Sequence, residues 1–176
     1  ADETIGRLLE HYYEINEGIG VHKSPELYGA FSTDPYSHTP YGKGAQQPGM
    51  TGQVKEDILS RFGEIGITMH KGHLAFKPYM LRKDEFFKKA KQVNYIDLEH
   101  NLKTLEVPEN SLCFTICQTP VIYSISDHNE IEVTQSDNSS HSINGLELPE
   151  DISSSIFKRE GKVEHLRVFV DQSILK

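Results

Sequence analysis

The sequence predicts an α+β protein: two N-terminal helices joined by a long loop and packed on a mainly antiparallel, β-sandwich-like domain. Three observations predict it. Sustained helical spacing of apolar residues occurs in two early segments. A run rich in proline, glycine and aromatics separates them. After Gly63, short segments of β-forming residues alternate with turn signals.

The first helix spans Asp2 to Glu17. Ile5, Leu8, Leu9, Tyr12, Tyr13 and Ile15 gather toward one face, with charges opposite. Gly18 or Gly20 is the expected stop. From Gly18 to Gly49 four prolines and six glycines exclude a regular helix or central strand. Tyr28, Phe31, Tyr36 and Tyr41 argue against a solvated linker, because aromatic rings seek burial. A long ordered loop of this kind is a common place for a site. The second helix spans Gly52 to Phe62, with Val54, Ile58, Leu59 and Phe62 on one stripe. Thr51 is the expected N-cap and Gly63 the expected stop.

Beyond Gly63, Ile65–His70 and His73–Tyr79 flank Lys71-Gly72, a hairpin signature. The stretch from Lys83 to Asn94 reads equally as helix or strand. Strands are expected at Tyr95–Leu102, Ser111–Thr119 and Val121–Ser126. Asp127-His128-Asn129 reads as a turn, Glu130–Thr134 as a strand and the serine-rich Gln135–Asn144 as a loop. Pro149–Phe157 reads as a short helix and Val163–Val170 as the closing strand. The expected division is 1–62 and 63–176.

Charge narrows the function. Eighteen basic against 26 acidic residues give a net charge of −8, with no basic stretch, which argues against a nucleic-acid partner. No apolar run approaches the ~18 residues of a membrane-spanning helix. Hydrophobic residues are sparse at 36%, consistent with some surface belonging against further protein. Cys113 and Cys117, four apart on one expected strand, stand roughly 13 Å from each other, too far for a disulfide, and are expected as core thiols. The nine histidines show no metal-binding spacing.

Three segments could carry chemistry. Gln46-Gln47-Pro48-Gly49-Met50-Thr51-Gly52 opens the second helix. Its first N–H groups lack intrahelical partners and form the positive end of the helix dipole, which suits an anion. An ordinary threonine cap explains the same residues. Ser24-Pro25-Glu26-Leu27-Tyr28-Gly29-Ala30 mixes acid, hydroxyl and aromatic groups, as sugar sites do. Asp34 and His38 could form an acid–base pair or be solvated turn residues.

Taken together these pieces resemble the end of the glycoside phosphorylases of the cellobiose and chitobiose type. The residues that carry the resemblance are Ser24-Pro25-Glu26-Leu27-Tyr28-Gly29-Ala30, Met50-Thr51-Gly52, Glu64-Ile65-Gly66-Ile67, His70-Lys71-Gly72-His73-Leu74 and Phe76-Lys77-Pro78. They lie within residues 20 to 80. The resemblance implies the last helices of an (α/α)6 barrel at 1–62, followed by a C-terminal β-domain at 63–176. It implies that Thr51 and Gly52 hold the attacking phosphate, or a sugar hydroxyl in a hydrolase on the same scaffold. Glu26, Tyr28, Gln46 and Gln47 would line the sugar pocket. Inorganic phosphate would be the co-substrate, with no other cofactor. The partners would be the rest of the enzyme chain and an oligosaccharide or disaccharide. The family's catalytic Asp lies upstream of the matched region, so the chain alone is expected to be inactive. The chain departs from the family at Pro48-Gly49-Met50, which stand where an aromatic or small residue usually precedes Thr-Gly.

Two rival readings come from other classes. One is a non-catalytic carbohydrate-binding or interaction module with its site at Tyr95 or Tyr123. The other is a complete small enzyme using Asp34, His38 and Glu26.

Overall fold

The computed structural model describes the backbone of residues 2–16 and 50–176, and the side chains of 3–13 and 58–176. The architecture is α+β, with a β-rich region of mostly antiparallel strands, as the sequence predicts. The chain divides into two compact units, Ala1–Arg61 and Phe62–Lys176. The expected loop from Gly18 to Gly49 lies outside the described residues.

The first unit contains helix α1 (Asp2–Asn16) and most of helix α2 (Met50–Ile65). Helix α2 begins two residues before the expected start, which places Thr51 and Gly52 in its first turn. It also runs through Gly63, where a side chain would meet open space. The stop is Gly66, which has φ +74° and whose N–H closes on the Phe62 carbonyl at 3.0 Å.

The second unit is built on a five-stranded sheet. Strands β1 (Ile67–His70) and β2 (His73–Phe76) form a small hairpin across Lys71-Gly72. Strands β3 (Lys91–Ile96) and β4 (Leu102–Val107) form a second two-stranded ribbon. The main sheet holds β5 (Ser111–Ile116), β6 (Thr119–Ser126), β7 (Glu130–Gln135), β8 (Ser140–Asn144) and β9 (Val163–Asp171), in the order β5-β6-β9-β7-β8. Helix α3 (Glu150–Phe157) precedes β9. Strand β9 pairs parallel with β6 and antiparallel with β7.

Register turns period-two alternation into core rows. Leu112, Tyr123, Val168, Ile131 and Ile143 lie side by side across all five strands. Phe114, Val121, Leu166 and Val133 form the parallel row beside them. Phe76 of β2 and Ile156 of α3 join this core. The Tyr123 ring meets Phe114 and Phe76 edge-on at 5.0 and 5.8 Å. Its hydroxyl donates to the Ile65 carbonyl at the end of α2, 2.8 Å away. Ser153 of α3 accepts from the Leu74 N–H at 2.9 Å and donates to the Pro149 carbonyl at 2.8 Å.

Several expectations need correction. Tyr95–Leu102 is not a strand: residues 97–101 form the β3–β4 turn, and β4 follows it. The Asp97 carboxylate accepts from the Glu99 and Asn101 N–H groups at 2.9 and 2.8 Å, which closes that turn. Gln135–Asn144 is not all loop, because its second half is β8. That strand pairs on one side only and is largely exposed, so polar residues suffice. Cys117 leaves the strand for the β5–β6 turn but still packs against the core; both thiols are free and half-buried. The ambiguous stretch holds a single 3-10 turn at Lys83–Glu85 before β3 begins.

Candidate functional site

A cleft of about 210 Å³ lies at one end of the main sheet in the second unit. Topology explains its place. Strands β6 and β9 are parallel, so both begin at that end, beside the β5–β6 turn and the residue after β7. Thr119 and Pro120 come from the start of β6, Val163 and Glu164 from the start of β9, and Ser136 from the end of β7. The β3–β4 turn completes the cleft with Tyr95, Asp97, Glu99 and Lys103.

Gln118 ties the two parts together. Its side-chain N–H donates to the Asp97 main-chain carbonyl at 2.8 Å. Gln118 and Cys117 are the central residues of a two-residue turn, Ile116 pairing with Thr119 across it. Both have positive φ, 70° and 49°. Such hairpin turns favour Asn, Asp and Gly, and a side chain in this region costs about 1 kcal/mol or more. The identity of residue 118 therefore follows the bond to Asp97 rather than the turn.

The electrostatics are acidic. Asp97, Glu99 and Glu164 supply three carboxylates against the Lys103 ammonium. The Asn101 main-chain N–H holds the Asp97 carboxyl below its ordinary value, helped by the Glu99 N–H, the Asn101 side chain and the charge of the nearby Lys103 ammonium, and opposed by burial. It is thus an anion in its resting state and no proton donor. Burial pushes the Tyr95 phenol up, and the Glu164 and Asp97 charges add to this. Tyr95 stays a neutral donor with an apolar ring. The cleft thus sets carboxylate, amide and hydroxyl groups beside an aromatic ring.

A second polar group sits after β6. His128 Nδ1 lies 2.9 Å from Ser126 Oγ and 2.8 Å from Asp127 Oδ1, and the ring stacks on Phe169 at 5.6 Å. Serine and carboxylate share one imidazole nitrogen. A nucleophilic triad needs them on opposite nitrogens, so this is a turn lock, not a catalytic relay. Among the described residues, no group of three or more His, Cys, Asp or Glu side chains is placed to hold a metal ion. No described helix is long and apolar enough to cross a membrane.

The sequence-derived candidates fall in three places. Thr51 and Gly52 occupy the first turn of α2, among the N–H groups without intrahelical partners. Glu26, Tyr28, Gln46 and Gln47, together with Asp34 and His38, lie outside the described residues. Of the two tyrosines proposed for a binding module, Tyr95 lines the cleft, whereas Tyr123 is fully buried and is a core residue. Asp97, Glu99, Lys103, Gln118 and Glu164 were not foreseen. The Asp-Leu-Glu-His-Asn run at 97–101 carries a turn signal that could have exposed the first two.

No protein-family model matches the chain, and no curated protein matches it.

Proposed function

We propose that this chain is the C-terminal part of a carbohydrate-active enzyme that acts on glycosidic bonds by phosphorolysis or hydrolysis. In this reading its helices complete an (α/α)6 barrel and its β-rich unit supports that barrel. Thr51 and Gly52 hold phosphate or a sugar hydroxyl, and Glu26, Tyr28, Gln46 and Gln47 line the sugar pocket. The catalytic acid comes from the rest of the enzyme.

The observation that carries this reading is the state of the helical stripes. Leu8 is 63% exposed and Leu59 70% exposed, with Ile5, Ile58 and Phe62 also in water. Amphipathic helices bury such stripes, and an exposed one marks a surface that belongs against other protein. Neighbouring barrel helices would cover it. The sequence resemblance at residues 20–80 supplies the kind of barrel.

The test compares this chain with the same chain joined to its upstream coding sequence. Both are assayed on a panel of disaccharides, with and without inorganic phosphate. Turnover is expected only in the joined form, and Thr51→Val should reduce it. Turnover by the 176-residue chain alone contradicts the proposal, as does a joined form inert on every glycoside.

One observation favours a second reading, a carbohydrate-binding module without catalysis: the cleft that combines the Tyr95 ring with acid, amide and hydroxyl groups. Here Tyr95→Ala weakens sugar binding and Thr51→Val leaves it unchanged. The opposite pattern favours the helix-tip loop.

A further inference from the structure

We infer that the cleft between the β3–β4 turn and the start of β9 binds a single amino-sugar ring, with Glu164 receiving its protonated amine. The inference rests on the second reading above and names the ligand class of that site.

Size sets the first limit. A volume of about 210 Å³ corresponds to roughly seven waters, which suits one sugar ring rather than a chain. Charge sets the second. Three carboxylates against one ammonium repel phosphorylated or carboxylated sugars and favour a cation.

The distribution of hydrogen-bonding capacity sharpens this. The Asp97 carboxylate is already engaged by two main-chain N–H groups and, at 3.7 Å, by Lys103. The ammonium of Lys103 is thereby matched. Glu99 accepts from the Asn101 amide at 3.2 Å. Gln118 gives one amide N–H to Asp97, which leaves its amide oxygen and its second N–H for a ligand. Glu164 is exposed at the rim, where its charge is felt by Tyr95 and His165, and no ion pair to it occurs among the described residues. What the cleft offers is thus mainly acceptors: Glu164, the Gln118 oxygen, and the Thr119 and Ser136 hydroxyls. An ammonium has three donors and no acceptor, and ring hydroxyls can donate to the remainder. The half-buried Tyr95 ring gives the apolar face of the sugar a surface to rest on.

The experiment follows main-chain amide shifts of the full chain during titration with four probes: glucosamine, glucose, N-acetylglucosamine and a simple alkylamine. Glucosamine is expected to shift residues in 95–103, 117–120 and 161–164, and to bind about tenfold tighter than glucose or N-acetylglucosamine. Glu164→Gln should remove that tenfold preference while leaving the fold intact. Tyr95→Ala should weaken all three sugars. Equal affinity for all three sugars overturns the inference but leaves the binding-module reading standing. Alkylamine binding as tight as glucosamine also overturns it, since charge alone would then suffice. Absence of shifts with every sugar removes both.

Discussion

Gly66 offers the sharpest test of the packing. Its φ of +74° belongs to the left-handed region, and a Cβ there would stand 2.0 Å from the Lys77 carbonyl oxygen and 2.2 Å from its carbon. The Gly66 carbonyl also accepts from the Lys77 N–H at 2.7 Å, so the two segments are already clamped together. Gly66→Ala therefore adds two penalties. Left-handed backbone costs a residue with a Cβ about 1–2 kcal/mol, and forcing the backbones apart costs roughly 1–3 kcal/mol more. The expected loss is about 2–5 kcal/mol, a large share of an ordinary domain's stability of roughly 5–15 kcal/mol. Gly145 is the control. It has φ +95° and nothing within 4 Å of the position of a Cβ, so Gly145→Ala incurs the backbone term alone. Both variants can be compared by urea unfolding followed by far-UV circular dichroism, since the chain has no tryptophan to report. Gly66→Ala should lower the midpoint much further at unchanged slope. If the two variants differ by less than about 0.5 kcal/mol, the scatter of ordinary surface changes, the close approach at Lys77 is not real.

Three further outcomes follow from the same geometry. Tyr123→Phe removes the bond to the Ile65 carbonyl and should cost about 1–2 kcal/mol in chemical unfolding, with the core rings unmoved in a spectrum of the aromatic protons. Ser153→Ala strands the buried Leu74 N–H and should cost about 1–3 kcal/mol in the same assay, whereas Ser139→Ala on the exposed β7–β8 turn should cost much less. Because the folded Asp97 carboxyl lies below its unfolded value, its contribution is present above about pH 4, the unfolded value, and fades as pH falls through the lowered one. Asp97→Asn should flatten the acid limb of a stability–pH curve; an unchanged limb would show that the turn contacts at Glu99 and Asn101 do not form in solution.

Legibility of the chain followed burial. Strand β9 was readable because Val163, Leu166, Val168 and Val170 are buried between exposed or half-buried neighbours. Strand β8 was not, because an edge pressed against nothing on one side imposes no apolar pattern on Ser140–Asn144. The β3–β4 ribbon was misread for a related reason: Ile96 and Leu102 are both exposed and flank the turn, so together they imitate one continuous strand. The end of α2 was placed at Gly63 because a glycine looks like a stop, yet only Gly66 has the backbone conformation that a stop requires. The cleft was nearly invisible. Its residues come from four separated stretches, and only Tyr95 was singled out, for its ring. The parallel pairing of β6 and β9 brings those stretches together, and nothing local in either strand announces that pairing.

That pairing has a consequence for how the molecule assembles. The strand at the middle of the sheet is the last one synthesised, and the two hairpins it joins, β5–β6 and β7–β8, are each complete well before it. Until β9 arrives, each hairpin presents an open flank with unsatisfied main-chain groups, the condition in which chains find wrong partners. Such closure by distant segments is slow. The emerging polypeptide therefore carries a gap at the centre of this sheet until β9 is made. Shielding that gap until then favours correct pairing.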